Sequence, residues 1–309
     1  MLIELRSRAG FTLIELLVTL AVGSIVAGSV AGILLRQQRT HIGLSAIVER
    51  RTQLRHATNI LEAAVRDAAP AEGDVVARSD SSLDFLAPLG AGVMCDTLPA
   101  RAGVVLAPDS VSAGYSFGFQ RDTPRAGDVL FVLSEGPSDA GSDDAWESHV
   151  VAGVGRSIPP CPASPLLHPV LDAGRAELSI AFAAGDALGA GVRMGAPVRF
   201  ARRARFRFYR SGGDWWLGRS DLGAAGWASV QPVSGPYRSY AVPGGPTGIA
   251  FAWFDTAGIA LPPLSGAATL GRLTITARTR TTRSLAVPGM RRGPYDDSLA
   301  MHIALRNVP

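Results

Sequence analysis

Residues 11–35 read Phe11-Thr12-Leu13-Ile14-Glu15-Leu16-Leu17-Val18-Thr19-Leu20, then AVGSIVAGSVAGILL to Leu35, with Glu15 the single charge. As a helix this run would extend roughly 37 Å, enough to cross a hydrocarbon core of about 30 Å. Ahead of it stands MLIELRSRAG with Arg6 and Arg8. Arginines on the N-terminal flank place the N-terminus in the cytoplasm and the bulk of the chain on the other side. A secretory signal has an apolar core of only about 7–15 residues, so the run is too long for one, although Ala27 to Ala31 supplies small residues. A plain membrane anchor fits the length but leaves Glu15 unexplained. A carboxylate there costs about 2.5–3.5 kcal/mol on insertion scales and so calls for a partner.

The composition changes at Leu35. Residues 36–68 carry Arg36, Arg39, Glu49, Arg50, Arg51, Arg55, Glu62, Arg66 and Asp67. Apolar positions recur at Ile47, Leu54, Leu61 and Ala68, flanked by Leu44, Ala57, Ala64 and Val65, the spacing of a helix with one buried stripe. Proline is absent from 11–69, and Pro70 with Gly73 supplies the stop. One helix of nearly sixty residues is expected, its first half in membrane and its second half on a globular body; a long coiled coil is the weaker alternative, because clean heptads are few.

Residues 69–309 read as strands separated by Gly/Pro turns. Residues 128–133 form a short apolar run, and Val198, Phe200, Ala204, Phe206 and Phe208 alternate with Arg199, Arg203, Arg205, Arg207 and Tyr209, apolar inside and basic outside, with Arg202 interrupting the apolar face. Ser211-Gly212-Gly213-Asp214 turns this strand into Trp215-Trp216-Leu217 as a hairpin. Further strands are expected at 248–254, 270–279 and 298–308. No βαβ alternation is present. The fold class is α+β: a long N-terminal helix on an antiparallel, β-rich head.

Every one of the 30 basic residues is Arg, which excludes a P-loop lysine, a Schiff-base lysine and a kinase-type lysine. The net charge of +4 is small for 309 residues and implies no nucleic-acid partner. The hydrophobic fraction of 47% is ample for a packed core.

Arg8-Ala9-Gly10-Phe11-Thr12-Leu13-Ile14-Glu15 resembles the processing site of type IV prepilins and type II secretion pseudopilins. The resemblance implies that a prepilin peptidase cuts after Gly10 and methylates the amine of Phe11. It divides the chain into a leader at 1–10, a membrane and assembly half-helix at 11–35, an amphipathic half at 36–68 and a periplasmic head at 69–309. It also implies a subunit held in the inner membrane and later in a filament, with other major and minor pilins or pseudopilins as partners. Cleavage would expose a positive amine at Phe11, four residues before Glu15. Each charge is expensive alone in lipid and much less so when paired. Glu15 of one subunit could meet the amine of its neighbour and set the axial register of a stack; within one chain, a carboxylate in the first turn also suits the helix dipole. Gly28 and Gly32 stand in a Gly-x-x-x-Gly spacing that permits close helix approach. The proline that kinks many major pilins midway through this segment is missing.

The run from Val198 to Leu217-Gly218-Arg219 looks like the hairpin of large minor pilins of the PilW and pseudopilin J class. The strand 249–255 with Gly258, the Thr-rich strand 269–282 and the closing Leu305-Arg306-Asn307 are similar in their order. The bulk of the head also suits a minor subunit that primes or caps a filament. The alternative from another class is a single-pass, membrane-anchored hydrolase or binding protein.

Other candidates lie in the head. Cys95 and Cys161 have no Cys-x-x-Cys or histidine spacing for zinc. In an oxidising periplasm they are expected to pair, stabilising the fold by roughly 4 kcal/mol on the chain-entropy model. Gly114-Tyr115-Ser116-Phe117-Gly118 formally matches a nucleophile elbow, but alternating aromatics at 115, 117 and 119 read as a strand, and Pro124 with Gly127 stands where the required helix should begin. His149, His168 and His302 follow in triad order. Asp139, Asp143 and Asp144 with Glu147 make an oxygen-rich loop able to hold Ca²⁺, although the spacing is not an EF-hand and a solvated acidic turn is the plainer reading. The arginines of 199–210 could meet phosphates, but without interleaved exposed aromatics they read as the outer face of a strand. No cofactor is expected and no catalytic residue is assigned.

Overall fold

The computed structural model describes residues 11–66, 68–108, 114, 116, 118–138, 141–156, 161, 167–168, 170–172, 175, 178–240, 248–262, 270–281, 284–285, 287, 289 and 291–305. One helix, α1 (Leu13–Val65), opens the chain without a break. It stops three residues before the expected end at 68. Ala69 precedes Pro70 and is extended (φ −108°, ψ 91°), as the residue before proline must be. The buried Asp74 accepts the Ala69 N–H at 2.9 Å, and a 3₁₀ turn over Pro70–Glu72 ends at Gly73 with φ 87°. The chain after Val65 is thus recruited into a turn closed by Asp74.

Fifteen strands are found among the described residues: β1 (Val75–Arg78), β2 (Ser82–Thr97), β3 (Gly103–Leu106), β4 (Phe119–Gln120), β5 (Val129–Ser134), β6 (Ala145–Arg156), β7 (Leu178–Phe182), β8 (Pro197–Ser211), β9 (Asp214–Gly223), β10 (Gly226–Trp227), β11 (Gln231–Tyr237), β12 (Ile249–Asp255), β13 (Ala260–Leu261), β14 (Leu270–Arg280) and β15 (Asp296–Ala304). The expected strands at 128–133, 198–209, 248–254 and 270–279 are present within two residues at each end. The last one begins two residues earlier than expected and ends at Ala304.

The chain forms two compact units. The larger comprises Gln53–Thr279 and Ser298–Pro309. In its first sheet the order β2-β3-β7-β6-β5-β8 returns to β2, because β2 pairs β3 through Met94–Thr97 and β8 through Ser82–Val93. The six strands close on themselves, which removes exposed edges. Leu89, Met94, Val104, Leu106, Leu130, Val132, Val151, Ile180, Val198 and Phe200 fill one core of this sheet. Cys95 on β2 is bonded to Cys161, with Cα atoms 5.6 Å apart. The β8–β9 hairpin turns through Gly212 and Gly213 (φ 60° and 92°), the positive angles that a two-residue turn matching strand twist requires.

A second sheet, β13-β12-β14-β15, is also antiparallel in its described pairings. Leu54, Ala57, Leu61 and Val65 of α1 enter one core with Phe85, Phe206, Phe208 and Leu217 of the first sheet and with Ile249, Phe251, Trp253, Leu273 and Ile275 of the second. The heptad-spaced stripe therefore buries as the sequence indicates at Ile47, Leu54, Leu61 and Ala68, whereas Leu44 stays about half exposed. Each large apolar side chain so buried contributes about 1.5–3 kcal/mol, which is what holds a helix of modest intrinsic stability on the head.

The smaller unit comprises the chain up to Thr52 and Arg280–Asp297. Here the connection between β14 and β15 folds back as a loop, tied by Thr281 N–H to Tyr295 O (2.9 Å) and by a bridge between Leu285 and Gly293. It lies against α1: a Cβ on Gly43 would stand 2.8 Å from Val287 Cγ2, and Arg51 bonds Asp297 Oδ2 at 3.0 Å and Tyr295 OH at 3.2 Å.

Candidate functional site

The start of α1 is built by Thr12. Its carbonyl accepts the Leu16 N–H at 3.2 Å, and its hydroxyl accepts the Glu15 N–H at 3.3 Å, satisfying donors that a helix terminus leaves open. Glu15 is then the third residue of the helix, where a negative charge faces the positive end of the helix dipole. Its carboxylate is exposed and has no hydrogen bond or ion pair among the described residues. Phe11, just outside the helix, is 81% exposed. Gly10 lies outside the described residues.

From Leu13 to Leu35 the large apolar side chains of α1 are all exposed. This half is long and apolar enough to cross a membrane, and none of it is buried among the described residues. Its hydroxyls do not spoil it, because Thr19, Ser24 and Ser29 donate to the carbonyls of Leu16, Ala21 and Ile25 at 2.8–3.0 Å. Gly23, Gly28 and Gly32 would each accept a Cβ without meeting any atom within 4 Å, so nothing among the described residues requires them. A stretch of apolar surface this large needs cover from lipid or other helices.

The head candidates fall apart as a common site. Ser116 Oγ donates to Gly118 O at 2.9 Å, and the described residues after it are β4 and turns, without the helix that a nucleophile elbow needs; Tyr115 and Phe117 lie outside the described residues. The histidines are engaged elsewhere. His168 Nδ1 accepts the N–H groups of Val170 and Leu171, and His302 Nδ1 meets Thr274 Oγ1 at 2.9 Å. His149, buried on β6 and stacked on Phe182 at 4.3 Å, meets Asp186 at 2.9 Å and Glu147 at 3.6 Å. This cluster was not foreseen, since Asp186 lies 37 residues away.

The acidic stretch is likewise spoken for. Glu147 lies on β6 and accepts the Gly189 N–H at 2.8 Å. Asp144 accepts from Gly136 N–H, while Asp143 accepts from the Ser138 hydroxyl and N–H, which hold its carboxyl below the usual range. Asp139 lies outside the described residues. Among the described residues no three His, Cys, Asp or Glu side chains are grouped to hold a metal ion.

The arginines form the basic outer face of a strand, as the sequence indicates, and the structure adds what holds them there. Arg205 grips the buried Asp84 through Nε and Nη2 (2.5 and 2.7 Å), Arg203 reaches the same carboxylate at 3.2 Å, and Trp227 lies 4.2 Å from the Arg205 guanidinium. Arg199 binds Asp74 and Glu72 (3.0 and 2.6 Å) above the ring of Phe131. Arg202, the apparent interruption, is itself buried and bonded to Asp128 and Asp122. These four charges are met by the chain's own carboxylates.

Comparison with known families yields one finding. Residues 5–31 match the family described as the prokaryotic N-terminal methylation motif. No curated protein and no solved structure gives a significant match. The chain thus carries a prepilin-type methylation motif on an apolar helix fit to anchor it in a membrane, and the motif supports a type IV pilin-like or pseudopilin subunit that is processed by prepilin peptidase and assembles with other pilins.

Proposed function

We propose that this chain is a minor type IV pilin or pseudopilin, of the PilW and pseudopilin J class, that primes or caps a filament. The leader ends at Gly10, Phe11 becomes the methylated N-terminus, and the subunit waits in the inner membrane with its head in the periplasm. On assembly the Glu15 carboxylate of one subunit pairs with the Phe11 amine of another, and the glycine-bearing face of 11–35 packs against neighbouring helices. The protein's work is associative, with no chemistry of its own.

One observation carries this reading: a motif-bearing half-helix finds no cover among the described residues, and within them the carboxylate in its first turn has no partner. The size and irregular β-rich build of the head support a subunit used sparingly over one repeated at close axial spacing. Co-expression with a prepilin peptidase, followed by intact-mass measurement, tests it. The expected product lacks residues 1–10 and gains the mass of one methyl group. An intact Met1, or cleavage near Ala31, would favour an anchored enzyme or binding protein.

A further inference from the structure

We propose that Arg36, Arg39, Arg291 and Arg292 form a binding site for anionic phospholipid headgroups where the helix leaves the bilayer. The inference rests on the membrane-anchored reading above. Arg36 follows directly on Leu35, the last residue of the apolar run, and Arg39 is one turn further on. Both are exposed.

The fold brings two more guanidinium groups to the same unit. The loop between β14 and β15 runs along α1 with Tyr295 at Arg51 and Val287 at Gly43. Val287 thus stands eight helix residues nearer the apolar half than Tyr295 does, and Arg291 and Arg292 lie between these two loop residues in sequence. Arg291 and Arg292 are exposed. Arg36 precedes Gly43 by seven residues and Arg39 precedes it by four, so both lie within about 40° of Gly43 around the helix axis, on the side that the loop covers. Arg36 sits only about 10 Å along the axis from Gly43, a gap that two arginine side chains narrow further.

None of the four has an ion pair or side-chain hydrogen bond among the described residues. That sets them apart from Arg199, Arg202, Arg203 and Arg205 of β8, and from Arg51 and Arg280, which take Asp297 and Asp296. The two aspartates that open β15 are therefore spent, and the positive charge next to the lipid has no counterion among the described residues. Four guanidinium groups beside the polar layer of a bilayer repel one another unless anions come between them. Phosphate oxygens are the acceptors available at that depth, and the guanidinium fork suits them. Basic side chains next to a membrane segment are attracted to anionic lipid in this way.

The test is native mass spectrometry of the full-length protein released from detergent micelles, with phosphatidylglycerol and phosphatidylcholine in competition. Wild type is expected to retain phosphatidylglycerol about tenfold over phosphatidylcholine. The variant R36Q/R39Q/R291Q/R292Q should bind both equally, while the corresponding quadruple Arg→Lys variant should keep most of the preference. Circular dichroism checks that the variants are folded, as expected for exposed side chains. Equal retention of the two lipids by wild type overturns the proposal. So does a preference that survives in the Gln variant, including the case in which that variant fails only in filament incorporation, which would assign the arginines to a neighbouring subunit. The same spectra report whether residues 1–10 are present, so a failure of leader processing is read separately from a failure of lipid selection.

Discussion

Thr12 Oγ1 accepts the backbone N–H of Glu15 at 3.3 Å, so the residue that carries the lone charge of the apolar run also closes its first helical turn. The two tasks use different atoms. The cap takes the backbone donor, and the carboxylate is left over. Replacing Glu15 by Leu therefore keeps the cap and the helix start, and should leave the proposed cleavage after Gly10 intact. Loss of an ion-pair partner in a low-dielectric setting costs about 3–5 kcal/mol, so incorporation into filaments should fall by at least an order of magnitude. Immunoblots of sheared filaments against membranes read this directly; normal incorporation of the Leu variant would remove the assembly role of the carboxylate.

Leu61 gives the complementary result at the other end of the helix. It is fully buried in the core shared by α1 and the two sheets. Leu61→Ala should lower the stability of the head by about 2–5 kcal/mol, followed by denaturant unfolding with the fluorescence of Trp253 in the same core. Processing should be unchanged, because the motif ends at residue 31. A loss well below this range would mean that the end of α1 is not held by the packing described.

What the sequence discloses and what it hides divide on physical grounds. The helix is legible because its two halves differ in charge and its stripe has a single period. β8 and β9 are legible because alternation and a Gly-Gly turn are local signals. The closed sheet is not, because β2 reads SLDFLAPLGAGVMCDT, with buried residues on both faces and Pro88, Gly90 and Gly92 breaking the alternation. Gly90 is there because a side chain would run into the Phe119 carbonyl and the Phe200 ring, a contact visible only once the strands are paired. The arginine pairings are hidden for a similar reason. Asp74 meets Arg199 across 125 residues and Asp84 meets Arg205 across 121, and no local pattern marks which acid finds which base. At the N-terminus the motif is local and dense, but the hydroxyl bonds of Thr19, Ser24 and Ser29 need the helix before they can be drawn.

Arg202 tests the pairing on β8. Its Nε and Nη2 hold both oxygens of the fully buried Asp128, at 2.8 and 2.9 Å, and Nη1 reaches Asp122 at 2.6 Å. These bonds, led by that to Asp128, push the proton affinity of the guanidinium up. Arg202→Met strands the buried carboxylate and should cost about 3–5 kcal/mol. Removing both charges in Arg202→Met/Asp128→Leu should recover most of that loss, since apolar replacement of a whole buried pair is often neutral or better. The hydrogen bond from Arg202 holds the Asp122 carboxyl below its usual range. Its contribution is present above the ordinary carboxylate range and is lost on acidification through the depressed value, and its exposure keeps it small. Denaturant midpoints of the two variants decide the point: equal losses in both would show that the cost of losing Arg202 does not come from the stranded Asp128 carboxylate.

Tyr237 sets the alkaline limit. Its hydroxyl lies 2.6 Å from Ser234 Oγ, which donates to the Gln53 carbonyl of α1 at 3.0 Å. The single Ser234 hydrogen is used on Gln53, so Tyr237 must be the donor to Ser234, and the relay requires a protonated phenol. Burial pushes Tyr237 up to about 12 from an ordinary value of 10.0. A group whose folded value is raised contributes stability that is fully present below its unfolded value and is lost as pH rises toward the folded one. The loss therefore falls between about pH 10 and pH 12 and amounts to roughly 2–3 kcal/mol. Tyr237→Phe should cost about 1 kcal/mol near neutrality by removing one hydrogen bond, and should flatten the alkaline decline. Unfolding midpoints measured for both proteins across this range provide the check. Parallel declines for wild type and Tyr237→Phe would mean that another group, and not the phenol linked to α1, governs the alkaline limit.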